Sequence, residues 1–215
     1  MFRKRLRSIF SFVFLLFCLS GCSIVSSKST VGTPVQEDLS GQFDGVWEGD
    51  SGICYIKYSG EGRLQIANVE WQDDKFRLKI MEGILTQCGD RKFVNFPDPE
   101  TSGENRTDYI FAYYSFVGDN LLAVWMPKIN VFEKAVSDGE IRGKVIEGKY
   151  STSVQIDESE ESLCRFIQSR NTEELFDLEE PLVYRRIKKL EQSEEEENPT
   201  GHSSHSLAPR RDVKK

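Results

Sequence analysis

Between residues 40 and 190, turn-forming Gly, Asp, Asn and Pro recur every eight to fifteen positions, and the segments between them favour β-structure. Segments that short exclude long helices, and a period of two places alternate side chains on opposite faces of a sheet. "GICYIKYSG" sets Ile53 and Tyr55 against Cys54, Ile56 and Tyr58. "KFRLKIMEG" alternates cleanly, which predicts Phe76, Leu78 and Ile80 facing inward and Arg77 and Lys79 facing out. In "GRLQIANVEW" the apolar set passes from Leu64 and Ile66 to Val69 and Trp71, a slip that predicts a bulge near Asn68. "RKFVNF" follows a Gly89-Asp90 turn. The strongest hairpin is "DYIFAYYSFVGDNLLAVWM", with Gly118-Asp119-Asn120 at its tip. Both of its faces carry large apolar residues, so both need cover.

The pattern changes after residue 128. Phe132, Ala135 and Val136 fall at helical spacing and stop at Gly139. "EIRGKVIEG" and "YSTSVQID" read as two more strands. Asp157-Glu158-Ser159-Glu160 reads as a helix N-terminus before a stripe of Leu163, Phe166 and Ile167. Pro181 opens a last strand, "LVYRRIK". The fold class that follows is mainly β: an antiparallel β-barrel or sandwich with one or two short helices. This element order, with Gly45-Val46-Trp47 near the domain start, resembles the lipocalins. That resemblance implies a barrel whose closed end is sealed by Trp47, with a basic residue of the last strand, Arg185 or Arg186, packed over it. It also implies a small apolar ligand in the barrel. The helix near residue 130 departs from the lipocalin order.

The N-terminus carries a different kind of signal. Arg3, Lys4, Arg5 and Arg7 precede an apolar run from Ile9 to Phe17, broken only by Ser11. A basic cluster before a short apolar run is a secretory signal pattern, and the run is shorter than the roughly 20 residues of a spanning helix. Leu19-Ser20-Gly21-Cys22 follows it and resembles the lipobox of bacterial lipoproteins. The resemblance implies cleavage after Gly21, a diacylglycerol thioether on Cys22 and acylation, palmitate for example, of the new amino group. With Ser23 next, it implies an outer-membrane lipid anchor facing the periplasm of the bacterial cell envelope. The expected organisation is a signal peptide over 1–21, a lipidated flexible tether over 22–39, an antiparallel β domain over 40–190 and a disordered charged tail over 191–215. The tether expectation rests on Ser, Thr, Val and Gly around Pro34, a stretch whose coil span is roughly 20–25 Å.

Charge and histidine content narrow the function classes. The formal charge is −7, and losing four positive charges with the signal peptide takes it to −11. An acidic body does not suit nucleic acid, whose affinity comes from phosphate neutralisation. The two histidines, His202 and His205, both lie in the polar tail. The β domain therefore holds no Ser-His-Asp, Cys-His or His-containing zinc site. It also has no phosphate-binding glycine loop. Asp73, Asp74 and Asp98 sit where Asp serves turns, and Glu158, Glu160 and Glu161 sit where a helix start favours them. No catalytic residue, metal or cofactor is expected.

Cys54, Cys88 and Cys164 remain in the body. An oxidising envelope permits one bridge among them, and the pair expected is Cys54 with Cys88, both on or beside early strands. The alternative is three small buried apolar residues. The functional expectation is a lipid-anchored, non-enzymatic envelope protein. Its β domain contacts another envelope protein or supports the envelope; the alternative is a lipocalin-like binder of a small apolar ligand. Its partners are the membrane, through the N-terminal lipid, and either an envelope protein or that ligand.

Overall fold

The computed structural model describes residues 24–50, 52–72, 74–99, 108–149 and 151–189. Twelve strands and four short helices lie among them. The strands are β1 (Ile24–Ser27), β2 (Thr33–Pro34), β3 (Gly45–Gly49), β4 (Gly52–Tyr58), β5 (Arg63–Gln72), β6 (Lys75–Cys88), β7 (Arg91–Pro97), β8 (Tyr109–Val117), β9 (Leu121–Trp125), β10 (Gly143–Glu147), β11 (Thr152–Ile156) and β12 (Leu182–Lys189). The helices are α1 (Ser40–Phe43), α2 (Ile129–Ser137), α3 (Glu160–Gln168) and α4 (Thr172–Leu175).

Eight strands close on themselves in the order β8-β7-β6-β5-β4-β3-β12-β9, with β9 returning to β8. Every pairing around this ring is antiparallel. The protein is therefore a closed antiparallel barrel rather than a sandwich, and closure removes the sheet edges that would otherwise need cover. β8 takes two neighbours on one side. Tyr109 and Ile110 pair with β1, and Tyr113 to Val117 pair with β9. β1 carries the sheet outward to β11, in parallel, and then to β10.

Two cores result, one on each face of β8. Ala112 and Tyr114 point into the barrel with Phe43, Trp47, Cys54, Ile56, Leu64, Leu85 and Leu122. Phe111 points out, into a second core with Phe93, Phe132, Val154, Leu163, Ile167 and Phe176. The second core is roofed by the helices. α2 contributes Phe132 and Ala135, and α3 contributes Leu163, Phe166 and Ile167. α3 starts where the sequence indicates: the Ser159 hydroxyl accepts the Ser162 N–H. α2 ends before Gly139, which adopts φ +74°, the left-handed turn that glycine takes without strain. The hairpin legible in "DYIFAYYSFVGDNLLAVWM" is β8 and β9, and its two apolar faces serve the two cores.

The structure corrects three sequence expectations. The first is the tether. From Ile24 the chain is folded: β1 lies between β8 and β11, and Val25, Val31, Val35 and Leu39 are buried. A buried polar knot holds this segment. The Val31 N–H donates to Asn95 Oδ1 at 2.8 Å, the Thr86 hydroxyl donates to the Val31 carbonyl, and Asn95 Nδ2 donates to Thr86 Oγ1 at 2.9 Å. The second is the bulge near Asn68. The β5–β6 register runs unbroken from Arg63↔Ile84 to Gln72↔Lys75. The third is the direction of "KFRLKIMEG". Phe76, Leu78 and Ile80 are 74%, 65% and 71% exposed. Met81 lines the barrel interior, so Ile80 and its alternates face out. β4 reaches only to the Ile53↔Val69 pair and β7 joins β6 only at Ile84, so the β5–β6 hairpin projects past its neighbours. Val69, opposite the exposed Ile53 and Leu78, falls on the outer face because the far half of β5 leaves the barrel.

Candidate functional site: an apolar cavity in the barrel

One end of the barrel is shut by α1 and the Gly45-Val46-Trp47 segment. Trp47 is fully buried, and its indole N–H donates to the Phe43 carbonyl at 2.8 Å. Phe43 lies edge-on to Tyr114 and Phe116, with ring centroids 5.5 and 5.0 Å away. Asp44, also buried, accepts the Tyr58 N–H at 2.6 Å and the Lys57 ammonium at 2.8 Å, which fixes the helix against β4. The Arg186 guanidinium lies 4.6 Å from the centre of the Trp47 ring and donates to the carbonyls of Gly41 and Gln42. Partial burial lowers its pKa from the usual arginine value.

The basic residue over Trp47 is therefore Arg186, not Arg185. Strand parity decides it. Arg186 is opposite Trp47 across β12–β3, whereas Arg185 is opposite Glu48 and pairs with its carboxylate at 2.6 Å in solvent. The glycine of the Gly-x-Trp triplet is needed at the same place. A β-carbon on Gly45 would come within 2.7 Å of the Lys188 carbonyl oxygen and 3.2 Å of Arg186 Cγ.

Above this floor lies a cavity of about 160 Å³. Phe43, Ile56, Leu64, Val94, Ala112, Tyr114 and Leu122 line its deep part, while Gly52, Asn68, Met81, Met126 and Leu182 lie toward the other end. Among the described residues the lining contains no Lys, Arg, Asp, Glu or His. The lining residues with polar side-chain atoms are Asn68, Cys54, Tyr114 and Tyr184, and the Tyr114 hydroxyl itself is closed to a water-sized probe. Burial pushes the Cys54 thiol up to about 11 and raises the Tyr184 phenol, so both groups are neutral in neutral solution. Tyr114 is raised further, first by burial and then by the charges of Glu37 and Tyr58. Such a chamber offers dispersion contacts and a few neutral dipoles.

The expected Cys54–Cys88 bridge does not form. Cys88 is bonded to Cys164, with Cα atoms 5.6 Å apart, and Cys54 is a buried free thiol. Cys54 points into the barrel, whereas Cys88 points into the outer core beneath α3. Two residues on opposite faces of a barrel wall are not within disulfide reach.

The remaining sequence candidates are dispersed. Asp74 is a turn residue with φ +59°, and Asp98 is buried at the end of β7, where its N–H donates to the Asp108 carbonyl at 2.8 Å. Glu158 accepts from Arg142, and that hydrogen bond holds its carboxyl below the usual range. Glu160 and Glu161 occupy the first turn of α3. Cys22, Asp73, His202, His205 and the 191–215 tail lie outside the described residues. Among the described residues no cluster of three or more His, Cys, Asp or Glu side chains is arranged for a metal. Sequence reasoning missed Tyr114 and Arg91. Nothing in "FAYYSF" distinguishes Tyr114 inside the barrel from Tyr113 outside it except the parity of the strand. Comparison with protein-family models, curated proteins and solved structures finds no match.

Proposed function

We propose that this chain is a non-enzymatic envelope protein, anchored by lipid on Cys22, whose barrel binds a small apolar molecule in the manner of a lipocalin. The observation that carries the reading is the closed eight-stranded barrel with an apolar cavity above a sealed floor. Apolar cavities of this size, roughly 150 Å³, remain dry and take up ligands such as benzene or xenon. The titratable groups of the lining, Cys54, Tyr114 and Tyr184, are all raised in pKa by burial and so stay neutral, which supports binding over chemistry. The Cys88–Cys164 bond supports an oxidising compartment, where such bonds persist. On this reading the lipid sits close to the domain. Cys22 is two residues from Ile24, a reach of about 7 Å, in place of the longer stand-off that a 22–39 tether would provide. Benzene and xenon titrations followed by methyl NMR test the cavity. Shifts should concentrate on Leu64, Ile66, Val94 and Leu122, and no response at these methyls would refute the reading. Mass spectrometry of membrane fractions tests the anchor, because Cys22→Ser should release the protein.

A second reading, contact with another envelope protein, is supported by the outer face of β4, β5 and β6. Ile53, Tyr55, Leu78 and Ile80 there are exposed, and the Ile53↔Val69↔Leu78 row runs straight across it. Leu78→Glu should abolish crosslinking to such a partner in membranes and leave ligand uptake intact. Unchanged crosslinking would exclude this face.

A further inference from the structure

The two ends of the barrel present different chemistry to solvent. At the closed end Arg186, Lys188 and Lys189 line a polar cleft with Gln42, Asp119 and Asn120. The mouth is apolar. Met126 and Leu182 line the cavity and are also 39% and 47% exposed, so the apolar wall continues out onto the rim. Leu178 extends that rim. It is exposed, and the Trp125 indole N–H donates to its carbonyl at 3.3 Å. The Asp177 N–H donates to the Met126 carbonyl at 3.3 Å, so the chain before β12 is tied to the end of β9 twice. On the opposite side of the ring the β5–β6 hairpin projects past the mouth, with Phe76 exposed near its tip. An exposed apolar surface that is continuous with an apolar cavity points to an apolar phase outside the mouth.

The charges around the mouth narrow that phase. Asp177, Glu179 and Glu180 flank Leu178 and Leu182, and the charge of Asp50 reaches Tyr184 in the lining. Across the mouth the hairpin carries Asp74 and Lys75 at its tip and Arg77 and Lys79 behind them. One lip is acidic and the other largely basic. A surface that carries both signs of charge, such as zwitterionic phospholipid headgroups, can meet both lips. A purely anionic surface is repelled by the acidic lip and attracted to the cations of the closed end. We infer that the open end of the barrel seats on a zwitterionic phospholipid surface, with Met126, Leu178 and Leu182 entering the boundary between headgroups and acyl chains. Each of these side chains gains by leaving water. The inference rests on the proposed lipid anchor, which brings the domain to the bilayer, and adds which end faces it. With the mouth against lipid, an apolar ligand reaches the barrel without crossing water.

The test is methyl NMR of the full chain in phosphatidylcholine nanodiscs that contain a nitroxide lipid. The methyl signals of Met126, Leu178 and Leu182 should be lost, while those of Val117 and Ile187, exposed at the closed end, persist. Loss at Val117 and Ile187 instead, or loss confined to Ile53 and Ile80 on the flank, would overturn the inference. Leu182→Asp, a change at an exposed position, should restore the Met126 and Leu178 signals. Signals still lost in that variant would count against the rim as the contact. Phosphatidylglycerol nanodiscs should weaken the loss at the rim, and a stronger loss there would overturn the choice of zwitterionic lipid. The mass of the same samples separates this inference from the anchor. Rim loss in a chain with no acyl group on Cys22 would keep the lipid-facing rim and refute the anchor. An acylated chain without rim loss would keep the anchor and overturn the inference, as would follow if the rim served a protein partner.

Discussion

Cutting the Cys88–Cys164 bond should cost stability without dismantling the barrel. The two residues are 76 positions apart. In the chain-entropy model a loop of that length restricts the unfolded chain by about 15 cal/mol/K, or about 4.5 kcal/mol at 25 °C. That figure lies toward the upper end of the about 2–5 kcal/mol that removal of native bridges from small domains costs. The folded state has means to survive the loss. α3 stays docked through Leu163, Phe166 and Ile167, and Arg91 donates to the carbonyls of Ile167 and Arg170 at the end of the same helix. Both bonded residues border the second core, so their paired replacement by Ala leaves the cavity side of the wall untouched. Urea unfolding of Cys88→Ala/Cys164→Ala, read by circular dichroism, should show a midpoint lower by about 2 M if m is near 2 kcal/mol/M. A Cys54→Ala control should keep the bridge, and a non-reduced digest should show the Cys88 peptide joined to the Cys164 peptide. A midpoint within about 0.3 M of wild type would refute the entropic reasoning, given that same m. A digest joining Cys54 to Cys88 would refute the pairing.

Tyr114→Phe, measured without ligand, should raise stability by about 1 kcal/mol, because it removes a buried donor that has no partner. A loss of that size would mean the hydroxyl is engaged. Arg186→Ala should cost about 2 kcal/mol through two backbone hydrogen bonds and the Trp47 stack. Arg185→Ala gives up an exposed ion pair worth under about 1 kcal/mol. Denaturant midpoints ranked the other way would refute the assignment of Arg186 to the floor. Cys54 governs part of the alkaline arm. Its folded pKa of about 11 lies above the ordinary 9.0, so its contribution is whole below pH 9 and lost as pH rises toward 11. Cys54→Ala should flatten thermal stability against pH in that window, and an unchanged slope would count against burial of the thiol.

The parts of the fold that were legible in the sequence are those where local pattern and tertiary need agree. β8 and β9 read correctly because both faces of the hairpin are apolar and both are covered, one by the barrel interior and one by α2 and α3. α3 read correctly because its cap, its acidic first turn and its buried stripe all lie within ten residues. The fold class followed from such elements added together. The N-terminal segment was lost because tether composition and strand composition overlap. Small polar residues mixed with a few Val suit both, and what fixes Val31 is Asn95, 64 positions away. The disulfide was lost for a similar reason. Cys88 and Cys54 both lie on early strands, but pairing depends on which side of the wall each faces, and the covering helix arrives 76 residues later.

Alternation in a strand gives the parity of its faces and not their sign. In "KFRLKIMEG" the dominance of apolar burial in folding predicts the apolar set facing the interior. The structure reverses the sign: Met81 enters the barrel, while Ile80, Leu78 and Phe76 are turned to solvent on a hairpin that extends past β4 and β7. The helices cover the outer faces of β7 and β8 through Phe93 and Phe111, and the outer face of β4 and β5 keeps Ile53 and Tyr55 exposed. The same barrel thus has an apolar interior sealed at one end and an apolar exterior on one flank. Folding needs the first, since it is continuous with the core around Trp47. The second adds nothing to the packing of the isolated chain, and an exposed apolar face of this kind is what the proposed contact with another envelope protein would use.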